Sequence, residues 1–171
     1  AGDERAEGVR YVPDLPAALS DDPSPYPAVR LKALHVTPAD IAKLGIGQTT
    51  YNISLPGIMT LDPSDGDIEF THDGRTYYFI KEKIDEIDAH MVEYKRLGLV
   101  ATLILLNSPR LFGATGERAL LDAAIHPSYD WACDQAYISA FDMRTEDGQN
   151  LYRAFVEFLA GRYAANGPVG G

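Results

Sequence analysis

Residues Leu99–Leu106 read LVATLILL, an apolar run interrupted only by Thr102 and closed by the amide of Asn107. An antiparallel strand with one wet face alternates apolar and polar residues, and this run does not. It reads as a strand buried on both faces, the kind found in parallel sheets covered by helices. A buried helix is the rival reading, but the run is short and follows a helix stop at Gly98. Parallel strands need helical crossovers, so the rest of the chain should alternate strand and helix.

It does. VRLKALHV, Val29–Val36, reads as a first strand. Thr37, Pro38, Asp40 and Gly45 then supply the N-cap, first-turn and C-terminal signals of a short helix. Gln48–Leu55 alternates and is β-branched, which predicts a strand. In IEFTHDGRTYYFI, Asp73-Gly74 sits between two alternating arms, the signature of a hairpin with a type I′ turn. Ile84, Ile87, Met91, Tyr94 and Leu97 fall at helical spacing up to Gly98. After the Leu99–Leu106 run, Ser108–Arg144 is irregular and rich in aromatics. A last helix is capped by Thr145, with Tyr152, Phe155, Val156, Leu159 and Tyr163 as its stripe. The order strand–helix–strand–helix–strand–helix is βαβ repetition and predicts an α/β fold with an inserted β-hairpin.

Residues 1–28, with Pro13, Pro16, Pro23, Pro25 and Pro27, read as an extended Pro-rich lead-in, and 29–171 as the folded domain. The 171 residues are enough for one domain with a real core. A net charge of −10 argues against nucleic acid and anionic membrane, because phosphates would be repelled. It fits neutral or cationic ligands. No apolar run is long enough to span a bilayer. Cys133 is the single cysteine, so there is no internal disulfide framework. The chain shows no signal-peptide pattern and starts at Ala1, so AGDERAEG reads as a processed end or the edge of a longer chain.

In parallel α/β folds, ligands meet the carboxyl ends of the strands, and Asn107 stands at such an end. It reads either as a site residue or as a cap that opens the Ser108-Pro109 turn.

The pattern resembles the first half of the (β/α)8 barrels of retaining glycoside hydrolases. The resemblance rests on IAKLGIGQTTYNISLP, YKRLGLVATLILLN and AFVEFLAGRYA, in that order. More closely, DGRTYYFIKEKIDEIDAHMVEYKRLGLVATLILLN and YISAFDMRTEDGQNLYRAFVEFLAGRYA resemble a bacterial family of glycosidase-like barrels of unknown function. It covers roughly Leu34–Gly171. The resemblance implies a partial TIM barrel, its first three or so βα units, acting on carbohydrate. In that clan the fourth strand ends in Asn-Glu, whose Glu is the acid/base, and the nucleophile Glu follows the seventh strand. No Asn-Glu pair occurs here, and a full barrel takes about 250 residues. Retaining hydrolysis needs two carboxyls about 5 Å apart, so no catalytic residue is expected in this chain and the chain alone is expected to be inactive. An incomplete barrel leaves strand edges open, which implies self-association. The compartment stays open, with a lean to a secreted or extracytoplasmic bacterial protein.

HPSYDWACDQAY, His126–Tyr137, is the densest polar-aromatic stretch and follows the Leu99–Leu106 strand. Trp131 and Tyr129 are candidates to stack on a sugar ring, with Asp130 bonding hydroxyls. The rival reading, that Trp131 packs beneath the loop, has the edge because large aromatics are mostly buried. Asn52 either points into a sugar-facing cleft or satisfies buried backbone, with the second ahead. His35, near a strand end, reads as structural. His90, beside Asp88 and Glu93, reads as part of a solvated helix face. DPSDGDIE, Asp62–Glu69, reads as an acidic turn and not a calcium loop, for it lacks flanking helices and the full ligand pattern. The four histidines lack metal-ligand spacing, GIG at Gly45 precedes a strand, and no Gly-x-Ser-x-Gly occurs. No metal and no cofactor is expected. Two further readings remain: a non-catalytic carbohydrate-binding or structural barrel relative, and a small α/β domain complete at this length.

Overall fold

The computed structural model describes residues 43–108, 118–133, 137–164 and 166–169. The expected strand at 29–36, most of the helix from Thr37 and His35 lie outside them. The described elements are β1 (Gln48–Ser54), a single turn α1 (Leu55–Ile58), β2 (Met59–Thr60), β3 (Ile68–His72), β4 (Arg75–Phe79), α2 (Lys81–Arg96), β5 (Val100–Leu106), α3 (Arg118–Ala124) and α4 (Glu146–Tyr163). The fold is mixed α/β.

β1 and β5 pair in parallel, from Gln48 opposite Val100 to Ser54 opposite Leu106. Parallel strands need a crossover connection, and the segment between β1 and β5, which ends in α2, supplies it. Its apolar side is the expected one: Ile84, Ile87, Met91 and Tyr94 are buried. It ends at Gly98, φ 67°, with Leu99 N bonded to Tyr94 O at 3.0 Å and Gly98 N to Lys95 O at 2.9 Å. Those two bonds make a Schellman stop, which needs the left-handed conformation that glycine adopts without strain. At the other end, Asp67 Oδ1 accepts from Lys81 N at 3.0 Å, so a loop carboxylate caps the helix in place of its own N-cap residue, Ile80.

The hairpin forms as its turn predicts. Asp73 and Gly74 both have positive φ, 48° and 73°, and His72 pairs with Arg75. β2, too short to announce itself in sequence, adds a third antiparallel strand on the far side of β4.

The helices seal these sheets. Phe158 of α4 stacks on Phe79 of β4 at 3.7 Å and meets Phe70 of β3 edge-on at 5.7 Å. Phe79 and Phe155 are fully buried among Ile53, Leu55, Met59, Ile84 and Leu120. The buried side of α4 is thus rotated from the expected stripe: Leu151, Ala154 and Phe158 are buried, while Tyr152, Val156 and Tyr163 are partly covered. Asp88 of α2 takes Arg162 Nε at 2.8 Å, a second bond from Arg162 Nη2, and Tyr163 OH at 2.8 Å.

Three expectations change. β5 is not buried on both faces: Ala101, Leu103 and Leu105 pack on the core, but Thr102 and Ile104 are exposed, Ile104 by 39%. A run that is apolar but for Thr102 therefore coexists here with an alternating environment. The Ser108–Arg144 segment is not wholly irregular, because α3 buries Leu120, Leu121 and Ala124. His90 stands only partly in solvent: it is half-buried, with its ring 5.0 Å from Tyr51 and 6.2 Å from Tyr94.

Candidate functional site

The carboxyl ends of β1 and β5 close on each other through short polar side chains. Ser54, the last residue of β1, accepts from Ser108 N at 3.1 Å and donates to Ser108 O at 3.4 Å. Ser108 Oγ donates to Tyr137 O at 2.7 Å. Asn107, 1% exposed, donates from Nδ2 to Ala124 O at 2.8 Å and to Ala140 O at 3.2 Å. The strand ends thus hold the connection that follows α3.

That connection carries the aromatic residues. Two hydrogen-bonded turns succeed each other, with Tyr129 N on His126 O at 2.9 Å and Cys133 N on Asp130 O at 3.2 Å. The Asp130 carboxylate is committed locally: its Oδ1 accepts from Ala132 N at 2.9 Å, an Asx turn. This geometry displays Trp131, which is 41% exposed. The Tyr129 ring meets it edge-on at 4.8 Å and 88°. The Arg118 guanidinium lies over the indole, 5.3 Å from its centroid, with Nε bonded to Asp122 at 2.8 Å. Packing of Trp131 beneath the loop, the favoured reading of the residue type, is overturned. With 41% of its surface exposed, the ring stands partly in solvent.

The five candidates therefore fall into two groups. Asn107, Tyr129, Asp130 and Trp131 share one hydrogen-bonded framework at the end of β5. Asn52 belongs to the sheet face, opposite Ile104 and on the same side as Thr50 and Ser54. Its Oδ1 is buried without a hydrogen-bond partner, as is Oδ1 of Asn107. Arg118, Ser54, Ser108 and Ser139 were missed in sequence. The Arg118–Asp122 spacing was visible as an i,i+4 pair, but its place on the indole was not.

Asp142, 5% exposed, lies at the neck of this connection, with its N bonded to Ala124 O. Burial pushes its carboxyl up, but hydrogen bonds from Arg144 N and Nε, at 3.1 and 3.2 Å, and the charges of Arg144 and His126 outweigh this and leave it low. An open groove of about 900 Å³ lies elsewhere, between Thr60, Asp62, Asp65, Asp67, Glu82 and Glu86, and none of the five candidates lines it. Among the described residues, no group of three or more His, Cys, Asp or Glu is placed to hold a metal ion.

Residues 29–171 match a family of unknown function (DUF5722). The chain belongs to this family. The matched span contains both sheets, α1 to α4 and all five candidate residues. No curated protein and no solved structure matches the chain. No described helix is long and apolar enough to cross a membrane.

Proposed function

We propose that this chain forms one wall of a carbohydrate cleft in a glycosidase-like (β/α)8 barrel, contributing its first three or so βα units. The observation that carries the reading is the Trp131–Tyr129 pair. A partly exposed indole paired with a second aromatic ring presents an apolar surface on which a ligand face can stack. A partly exposed indole beside the Tyr129 ring, with the Arg118 guanidinium over its ring, offers the mix of apolar and polar surface that suits a sugar ring, which has apolar C–H faces and a polar edge. Its connection leaves α3 but is held by Asn107 and Ser108 at the carboxyl end of β5, the end at which ligands sit in such folds. The parallel β1–β5 pair with its helical crossover supports the barrel reading.

Within that barrel these residues bind and do not hydrolyse. Retaining hydrolysis needs one carboxyl held protonated as the acid, with its pKa raised. Among the described residues, the carboxyls that show a shift in proton affinity, Asp88, Glu93 and Asp142, are all shifted down. The strand ends carry Ser54, Asn107 and Ser108.

Trp131 is the only tryptophan, so its emission reports on the site directly. Cellohexaose, xylohexaose, mannohexaose and chitohexaose are titrated to millimolar concentration, with calorimetry on W131A beside them. A saturable emission change with at least one of them, and its heat lost in W131A at unchanged melting temperature, is the expected result. Silence with all four, or full binding by W131A, would overturn the reading.

A further inference from the structure

We propose that Asn107 is the positioning residue of the Trp131 platform: its carboxamide locks the two roots of the connection that presents the rings. The effect on binding rests on the carbohydrate reading above; the lock itself does not.

The connection leaves α3 at Ala124 and returns at Ala140, and residues 125–133 and 137–140 of it are described. Asn107 Nδ2 reaches both roots, at 2.8 and 3.2 Å, while its main-chain oxygen accepts from Ser139 N at 2.8 Å. One side chain at the end of β5 thus spans the neck. Around it, His126 N bonds to Ala140 O and Asp142 N to Ala124 O, each at 3.0 Å, and Ile125 bridges Phe141. From His126 the path to the rings is continuous. His126 O takes Tyr129 N, His126 Nδ1 takes Ser128 N at 3.2 Å, and Asp130 closes the next turn.

The balance of polar groups explains why an amide stands here. Oδ1 of Asn107 is buried and unpartnered, a cost that an apolar side chain would avoid. The carbonyls that Nδ2 serves have other donors: Asp142 N on Ala124 O, and His126 N with Ser139 Oγ on Ala140 O. The amide is therefore not required to satisfy them. What it adds is a tie from both roots, already paired to each other, to the end of β5, and so a fixed stance for Trp131 on the sheet.

The test replaces Asn107 by leucine, which keeps the branched shape at Cγ but is larger and has no hydrogen-bonding atoms, in the whole chain. Because both carbonyls keep donors, N107L is expected to melt cooperatively. Acrylamide quenching of Trp131 should rise, and exchange protection at the His126, Ser139 and Asp142 amides should fall about tenfold, with the Phe155 and Leu159 amides unchanged. Affinity for the hexasaccharide that binds should fall with it. A folded N107L with quenching and protection unchanged overturns the proposal. Should N107L fail to fold, hydrogen exchange on the unaltered chain decides. Joint opening of the His126, Ser139 and Asp142 amides supports the lock, and independent opening refutes it. Failure of the unaltered chain to bind any sugar would overturn the carbohydrate reading alone, since quenching and exchange need no ligand.

Discussion

Gly148, in the first turn of α4, should not tolerate even one methyl group. A Cβ there would lie 2.0 Å from Asp142 O, 3.0 Å from Thr145 Oγ1 and 3.1 Å from Ala123 O. The closest of these is backbone and cannot swing aside, because Asp142 N is held on Ala124 O at 3.0 Å. Relief must come from moving α4 off the neck, which loosens the Thr145 cap on Gly148 N, 3.1 Å, and strains the Asp142–Ala124 bond. Overpacking costs about 1–3 kcal/mol, the cap about 1 kcal/mol and the strained bond about 1 kcal/mol. Alanine's better helix propensity returns about 1 kcal/mol. Gly148→Ala should therefore destabilise by about 2–4 kcal/mol, a fall in Tm of roughly 4–16 °C for a chain of this size. Gly161, in the same helix with nothing within 4 Å of its Cβ position, is the control. Gly161→Ala should stabilise by about 0.5–1 kcal/mol. Thermal and urea melts of both variants give the two signs. A neutral or stabilising Gly148→Ala would refute the reasoning, since it would mean that the neck yields freely.

Three further outcomes follow from the packing. Phe79→Ala, which empties a fully buried site against Phe158, should cost about 3–5 kcal/mol in urea unfolding. Thr145→Ala should cost about 1 kcal/mol by the same assay, as the cap of α4 is lost. Asp88 carries an acid-dependent share of stability. Burial pushes its carboxyl up, but the bonds from Arg162 and Tyr163 and the Arg162 charge outweigh this and hold it below the ordinary value. A depressed folded-state pKa stabilises at pH above the unfolded value, about 3.9, and is lost as pH falls through the folded one. Tm measured from pH 6 down to about pH 2 should fall in the unaltered chain, and Asp88→Asn should flatten that part of the slope while lowering Tm at pH 6.

Elements governed by neighbours in sequence were legible. The Asp73-Gly74 turn, the α2 stripe with its Gly98 stop, the Thr145 cap and the strand at Leu99–Leu106 depend on φ preferences, capping and periodicity, which act over a few residues. That the strands would run parallel was expected from the alternation of strand and helix along the chain. The rest depended on contacts distant along the chain. No local pattern shows that Asp67 caps α2, that Phe158 and not Tyr152 enters the core, or that Thr102 and Ile104 face outward. The site divides in the same way. His126–Tyr137 could be singled out by its aromatic and polar content, and Asn107 by its place at a strand end. Whether Trp131 is displayed or packed, and what the Asn107 amide holds, was decided only in three dimensions. Exposure and hydrogen-bond partnership belong to the assembled neck, where α3, β5 and α4 converge, and not to any one stretch of chain.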